Sequence, residues 1–154
     1  MNIDPIVTKI RRCVRKHELG TGAYARYTRP NEGKGQTLSI NPYGCADAAN
    51  LLYTIGDFER DPQRRAESIA AMQKMQDHET GLFHESTHHP IHTTAHVLAA
   101  LELYDAGLLY PVYALEEYRE IEKMRAFLEG LDWEGEPWGQ SHRGAGLYAA
   151  LRLT

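Results

Sequence analysis

The sequence predicts an all-α fold of tandem helical hairpins, and three observations support this. The 154-residue chain is 42% hydrophobic and 25% charged, a composition typical of globular proteins. From residue 44 onward, apolar residues recur at helical spacing between polar breaks. Segments 49–53, 99–103 and 149–153 also resemble one another at intervals of fifty residues. A fixed period of this size is typical of stacked supersecondary units that share a core.

The amino-terminal part is expected to form one helix followed by an irregular segment. The helix begins with Asp4 as N-cap and Pro5 in the first helical position. Its apolar face is formed by residues at helical spacing, namely Ile6, Ile10, Cys13, Val14 and His17. Residues 18–43 contain glycines, prolines and short β-prone runs, which predict a long loop with a small hairpin around Asn31 and Gly35.

Five further helices are predicted, so that residues 1–17, 18–43 and 44–154 together form one domain. Their ranges are 45–56, 61–76, 92–107, 112–131 and 141–154. Asp61 and Pro62 mark one beginning, and Gly56 and Gly107 mark two ends. The range 112–131 has a single apolar face made of Ala114, Tyr118, Ile121, Met124 and Leu128. The alanine-rich helices at the repeats are expected to form an inner layer, and the more charged helices between them an outer one.

This pattern resembles the α/α-toroid architecture of terpenoid cyclases, protein prenyltransferase β-subunits and many glycan-degrading enzymes. The stretch MQKMQDHETGLFHE, residues 72–85, is similar to the glutamine- and glycine-containing linker that leads from an outer helix into the next inner one. "GLF" before a His/Thr-rich helix start resembles the glycan-active members more than the cyclases. The chain contains about two and a half hairpins, fewer than a full torus. We therefore expect a partial toroid, either a piece of a longer protein or completed by a second copy, because an uncovered apolar layer would be a large exposed patch.

The resemblance implies a pocket where the inner helices begin, a place that favours anions. At that level lie Asn41, Tyr43 and Asp47 from the first copy, Glu85, His88, His89, His92 and His96 from the second, and Trp138, Gln140, His142 and Arg143 from the third. His92 and His142 are fifty residues apart, and each is expected just before its alanine-rich helix.

Two carbohydrate-active chemistries fit these residue types. A polysaccharide lyase neutralises a uronate carboxylate with Asn, His or Arg and abstracts the C5 proton with Tyr or His. A glycoside hydrolase needs a carboxylate pair, for which Asp47 and Glu85 are best placed. The candidate catalytic residues are therefore Asp47, Glu85, His92, His142 and Tyr43. The candidate sugar-binding residues are Asn41, Phe83, Trp138, Gln140 and Arg143, and Trp133 is a further aromatic that could stack on a sugar.

Other interpretations of the same residues stay open. His92 and His96 are spaced i, i+4 as a zinc pair requires, but there is no H-E-x-x-H motif, so no cofactor is expected and zinc is the alternative. In the simplest alternative His92 caps its helix and His96 packs in the core. The chain would then be a non-catalytic helical-repeat module for binding or oligomerisation, or a fragment of a larger enzyme.

Several classes of partner are not expected. Residues 1–35 carry eight Lys/Arg against three Asp/Glu, but Lys9, Arg11, Arg12, Arg15 and Lys16 fit the solvated face of a helix better than a nucleic-acid site. Cys13 and Cys45 lack metal-like or redox-like spacing, which favours free buried thiols in a reducing compartment. Without a signal core or a membrane-length apolar run, the chain is expected to be cytoplasmic.

Overall fold

The computed structural model of the chain describes residues 2–154, and most of them lie in helices. The α-helices are α1 (Asp4–His17), α2 (Pro42–Thr54), α3 (Pro62–Gln73), α4 (Pro90–Glu102), α5 (Ile121–Glu129) and α6 (Pro137–Leu153). Short 3₁₀ helices span Glu32–Lys34 and Tyr113–Arg119. Strands β1 (Glu18–Gly20) and β2 (Ala23–Tyr24) form an antiparallel hairpin directly after α1, with Glu18 opposite Tyr24.

Among the alanine-rich helices α2, α4 and α6, helix α4 packs on both of the others. Each begins with a proline, at position 42, 90 or 137, whose fixed φ suits the first helical position. Small side chains let the backbones approach closely. At Gly146 of α6 an added methyl group would lie 2.9 Å from the Cα of His92 in α4. The contact between α4 and α6 therefore depends on glycine at this position.

Two groups of buried side chains form the core. One lies among α1, α2, α3 and α4 and contains Phe83, Met72 and Leu101, all fully buried. The other lies among α4, α6 and the first 3₁₀ turns after residue 112, and it contains Leu98 and Leu147. Because α4 contributes to both groups, its buried face continues around most of the helix.

Gln76, in the predicted linker, joins two loops through its buried side chain. Its Nε2 donates to the carbonyls of Gly81 at 2.9 Å and Tyr110 at 2.7 Å. Its Oε1 accepts from the backbone N–H groups of Leu109 and Tyr110, both at 3.0 Å. The amide thus satisfies four backbone groups and fixes the chain that leads toward α4.

The predicted helix at 4–17 forms, but two of the five residues predicted on its apolar face are exposed. Ile3, rather than Asp4, is the N-cap residue, and Ile6 is 57% exposed. Cys13 is also exposed, whereas Cys45 is buried as expected. The reason is that α1 packs on α2 mainly near Val14, so its first turns project beyond the core.

The single helix predicted over 112–131 is divided in the structure. Glu120 takes an extended conformation with φ −79° and ψ 123°, which separates the 3₁₀ helix from α5. Ile121 is consequently 72% exposed, because the break rotates α5 away from the face that the spacing predicted. None of the residues of α5 is buried, so its apolar stripe is largely uncovered.

Turn residues account for the remaining differences. Gly56 follows α2 with φ +77°, as predicted for a helix end. Gly107 does not end α4, which stops at Glu102, and Asp105 instead adopts a positive φ of 55°. Around the predicted hairpin at Asn31, the backbone pairs with Gln36 across a 3₁₀ turn. None of the helices in residues 2–154 is long and apolar enough to cross a bilayer.

Candidate functional site

Five aromatic or imidazole rings meet where α2 and α4 begin, beside the second turn of α6. This ring cluster consists of Tyr43, His88, His92, His96 and His142. Tyr43 and His88 stack with centroids 4.1 Å apart and planes 9° apart, and His92 and His142 stack at 4.4 Å and 11°. The Tyr43 hydroxyl lies 3.1 Å from Nε2 of His92. The starts of three sequence-distant helices thus share one site.

Helix boundaries explain these positions and correct one expectation. His92 and His142 lie inside α4 and α6, not before them, because these helices begin at Pro90 and Pro137. The N-cap of α4 is His89, whose Nδ1 accepts from the Ile91 N–H at 3.3 Å. His92 is therefore free of a capping role, and its ring points toward α2 and α6.

Two carboxylates each hold one histidine of the ring cluster. Oε1 of Glu85 lies 2.8 Å from Nδ1 of His88, and Oδ1 of Asp47 lies 2.9 Å from Nε2 of His96. The Glu85 side chain has no exposed surface, whereas that of Asp47 is 49% exposed. A carboxylate accepts hydrogen bonds, so Nδ1 of His88 is the donor and its Nε2 keeps a lone pair in the neutral ring.

Arg26 lies over the same group from the irregular segment before α2. Its guanidinium carbon is 4.4 Å from the Tyr43 ring centroid. Its nitrogens lie 3.7 Å from Asp47 and 3.9 Å from Glu85. This approach requires Gly44, where an added methyl group would lie 3.0 Å from the backbone carbon of Ala25. Sequence reasoning missed Arg26, because the glycine that admits it gives no charge or spacing signal.

Burial sets the protonation of the two hydrogen-bonded rings. Burial, followed by the nearby His142, lowers the pKa of His92 to about 4. Burial and the charge of Asp47 raise the pKa of Tyr43 above its usual range. At neutral pH, His92 is therefore uncharged and the Tyr43 hydroxyl is protonated, so the tyrosine donates to the imidazole.

A cavity of about 460 Å³ opens beside the ring cluster, and we call it the α6 pocket. Its walls include His88, His89, Trp138, Gln140, His142 and Arg143. Trp138 is 77% exposed, and its ring meets the His142 ring at 4.7 Å, edge to face. Nη1 of Arg143 donates to Oε1 of Gln140 at 2.9 Å. The pocket thus combines an open aromatic surface with imidazole and guanidinium groups.

The predicted rim is divided between two cavities. Asp47 and Arg26 line a smaller one, of about 280 Å³, between α1 and α2. That cavity shares no lining residue with the α6 pocket. Tyr43 and His92 line neither, so they lie behind the pocket and support the rings at its surface.

Three predicted site residues have other surroundings. Phe83 is fully buried in the core, so the expectation that it stacks on a sugar is wrong. Asn41 caps α2 by accepting from the Gly44 N–H at 2.9 Å. The buried Glu85 carboxylate cannot reach a sugar directly, so the role of catalytic acid does not fit it. The residues predicted at the rim that do line the α6 pocket are His88, His89, Trp138, Gln140, His142 and Arg143.

The zinc interpretation finds little geometric support. Nε2 of His92 faces Tyr43, while Nε2 of His96 faces Asp47. Among residues 2–154 no three His, Cys, Asp or Glu side chains are arranged to hold a metal ion.

Comparisons of the chain with protein-family models, with curated proteins and with solved structures found no match.

Proposed function

We propose that the α6 pocket binds an acidic sugar unit and that the chain cleaves its glycan by β-elimination, as a polysaccharide lyase does. The observation that carries this proposal is the contact of His88 with the buried Glu85 carboxylate, Nδ1 to Oε1, at 2.8 Å. A histidine held by a carboxylate through one nitrogen presents the other as a base of fixed orientation. The His88 side chain is 18% exposed and lines the pocket.

The proposed reaction balances without a cofactor or water. Nε2 of His88 takes the proton from C5 of a uronate, and the electron pair of that C–H bond forms the C4=C5 double bond. The C4–O4 bond breaks, and the His88 imidazolium then gives the same proton to the departing oxygen. The buried Glu85 carboxylate stabilises the imidazolium during the step, as a positioning residue.

The pocket walls favour an anionic sugar as the ligand. Arg143 can neutralise a carboxylate on C5, and His142 can donate a hydrogen bond to it. Both interactions make the neighbouring C–H bond more acidic. The exposed face of Trp138 offers a stacking surface for a sugar ring. A hydrolase mechanism is less well supported, because Glu85 is buried and Asp47 lines the other cavity.

The test is an assay on polygalacturonate and alginate with detection of the unsaturated product by ultraviolet absorbance. We expect His88→Gln to lower kcat/KM at least about 100-fold, the usual contribution of a general base. His84→Gln is the matched control, because His84 is exposed and does not line the pocket. Activity that survives in His88→Gln would refute the assigned base. Binding of these polymers without an unsaturated product would favour the non-catalytic module.

The same proposal includes a partial α/α toroid with α2, α4 and α6 as its inner layer. Its support is the contact of α4 with both α2 and α6 and the outer position of α3 against α2 and α4. On α6, Tyr148 is 69% exposed, so one flank of the layer is open. Light scattering of the purified chain tests whether a second copy covers that flank. A clean monomer would contradict completion by association.

A further inference from the structure

We propose a second binding site, for an aromatic ring that bears a carboxylate or phosphate group, in the cavity between α1, the β1–β2 hairpin and the amino-terminal end of α3. We call it the hairpin cavity. It encloses about 500 Å³, which is within the range of small-molecule sites. It shares no lining residue with the α6 pocket, so its occupation is independent of the function proposed above.

Tyr24 provides a hydrogen-bond donor for a ligand in the cavity. Tyr24 lines the cavity and is only 9% exposed. Its backbone N–H and carbonyl are used by Cys45 and Asn41. Its hydroxyl makes no hydrogen bond to residues 2–154 and is not among the fully buried, unpaired side-chain atoms found there, so it is accessible from the cavity. Burial, followed by the charge of Glu18, raises the pKa of this hydroxyl to about 12, so it stays protonated and can donate to an acceptor on a ligand.

The charged groups of the cavity favour an anionic acceptor. Two of its arginines are already held, Arg11 by Asp57 and Arg64 by Glu59. Arg15 and Arg60 also line the cavity, and neither makes an ion pair within residues 2–154. With Glu18 as the third carboxylate, the lining has four guanidinium groups against three carboxylates. An anionic oxygen group beside Tyr24 would meet both the free hydroxyl and uncompensated positive charge.

The remaining wall is apolar and aromatic, which defines the body of the ligand. Phe58 and Tyr104 line the cavity with ring centroids 4.4 Å apart. Leu52 extends the same wall from α2. Aromatic rings prefer offset or tilted contacts at such distances, so a flat ring could add to this pair. The ligand class is therefore an aromatic anion, and the volume of the cavity is sufficient for a single substituted ring.

Calorimetric titration of the full chain with benzoate, phenyl phosphate and inorganic phosphate tests the site. We expect at least one aromatic anion to bind, and inorganic phosphate to bind at least about 10-fold more weakly because it lacks the ring. Tyr24→Phe should weaken binding of that aromatic anion about 10-fold, since it removes one hydrogen bond to a charged acceptor. The double change Arg15→Gln/Arg60→Gln should weaken it by at least as much.

Arg12→Gln is the matched control, because Arg12 is exposed on the same helix and does not line the cavity. Circular dichroism of each variant confirms that it is folded. Binding of benzoate alone or of phenyl phosphate alone would support the site and identify the anionic group. The proposal is overturned if neither aromatic anion binds the folded wild-type chain, or if Tyr24→Phe and the double variant bind as tightly as Arg12→Gln.

Discussion

The packing of α4 on α6 predicts that alanine at two neighbouring glycines has opposite consequences. At Gly146 the new methyl group would lie 2.9 Å from Cα and 3.0 Å from N of His92, both backbone atoms. At Gly144 the nearest atom is a terminal methyl of Leu131, 3.3 Å away, which can move by changing rotamer. Gly146→Ala therefore forces two helices apart, whereas Gly144→Ala displaces only a side chain.

The magnitude follows from two opposing terms. Alanine in place of a helical glycine stabilises a helix by about 1 kcal/mol, and this gain applies to both positions. Insertion of a methyl group into close-packed backbone costs about 1–3 kcal/mol, and this cost falls on Gly146 alone. The gain from helix propensity is the same in both variants, so it drops out of the difference between their stabilities. We expect Gly146→Ala to be about 1–3 kcal/mol less stable than Gly144→Ala.

Urea unfolding of both variants, followed by circular dichroism, measures this difference. The shift of α6 should also separate the stacked rings of His92 and His142, so their imidazole NMR signals should move in Gly146→Ala only. Equal stability of the two variants, within about 0.5 kcal/mol, would show that α4 and α6 are not held at this close contact.

Three further outcomes are expected. The pKa of His92, about 4, lies below the value of 6.5 for a free histidine, so the folded state is fully favoured above pH 6.5 and loses stability as the pH falls toward 4. The difference between these two pKa values corresponds to about 3 kcal/mol of folding free energy, and partial solvation of the ring reduces this to about 1–2 kcal/mol. Urea titrations at pH 7 and pH 4 should show that wild type loses this amount of stability between the two pH values and that His92→Gln does not. Gln76→Leu should cost about 2–4 kcal/mol in thermal unfolding because buried backbone groups lose their partners. Gln63→Leu, which changes an exposed amide on α3, should cost less than about 1 kcal/mol, and equal losses would contradict the role of Gln76. Thiol labelling of native protein should modify the exposed Cys13 rapidly and Cys45 only after denaturation, since burial raises the pKa of Cys45 to about 11. Rapid labelling of both cysteines in the native protein would contradict this expectation.

The helices that sequence periodicity predicts well are those with strong beginnings. Asp61 and Pro62 start α3 as expected, and the Asp61 side chain accepts from the Arg64 N–H at 2.9 Å. Periodicity failed where tertiary packing selects the conformation. Nothing local marks Glu120 as extended, whereas the 3₁₀ helix before it is buried through Leu115 in the same cluster as Leu147 and Ala150 of α6. Helical spacing also cannot distinguish an apolar face that is covered in the fold from one that is not. For this reason the spacing did not predict the exposure of Ile6.

The candidate site shows the same division between local and long-range information. The spacing of His92 and His142 places both near helix beginnings, and the structure brings their rings together. Burial, however, depends on neighbours far away in the sequence. Phe83 is buried in the core, away from the site, and the buried Glu85 carboxylate contacts His88 instead of facing the pocket. Arg26 was missed for the same reason, since its contacts with α2 and with Glu85 are all tertiary.

The charge balance of the ring cluster connects its geometry to the proposed proton transfer. Asp47 and Glu85 together carry two negative charges against the single guanidinium of Arg26. That guanidinium lies 3.7 and 3.9 Å from the two carboxylates, too far for good hydrogen bonds, so it acts on them mainly through charge. The close hydrogen bonds go instead to His88 and His96. The uncompensated negative charge stabilises the positive charge that develops on His88 when it takes the proton in the proposed reaction. A base in the α6 pocket that must hold a proton during β-elimination would gain most from this arrangement.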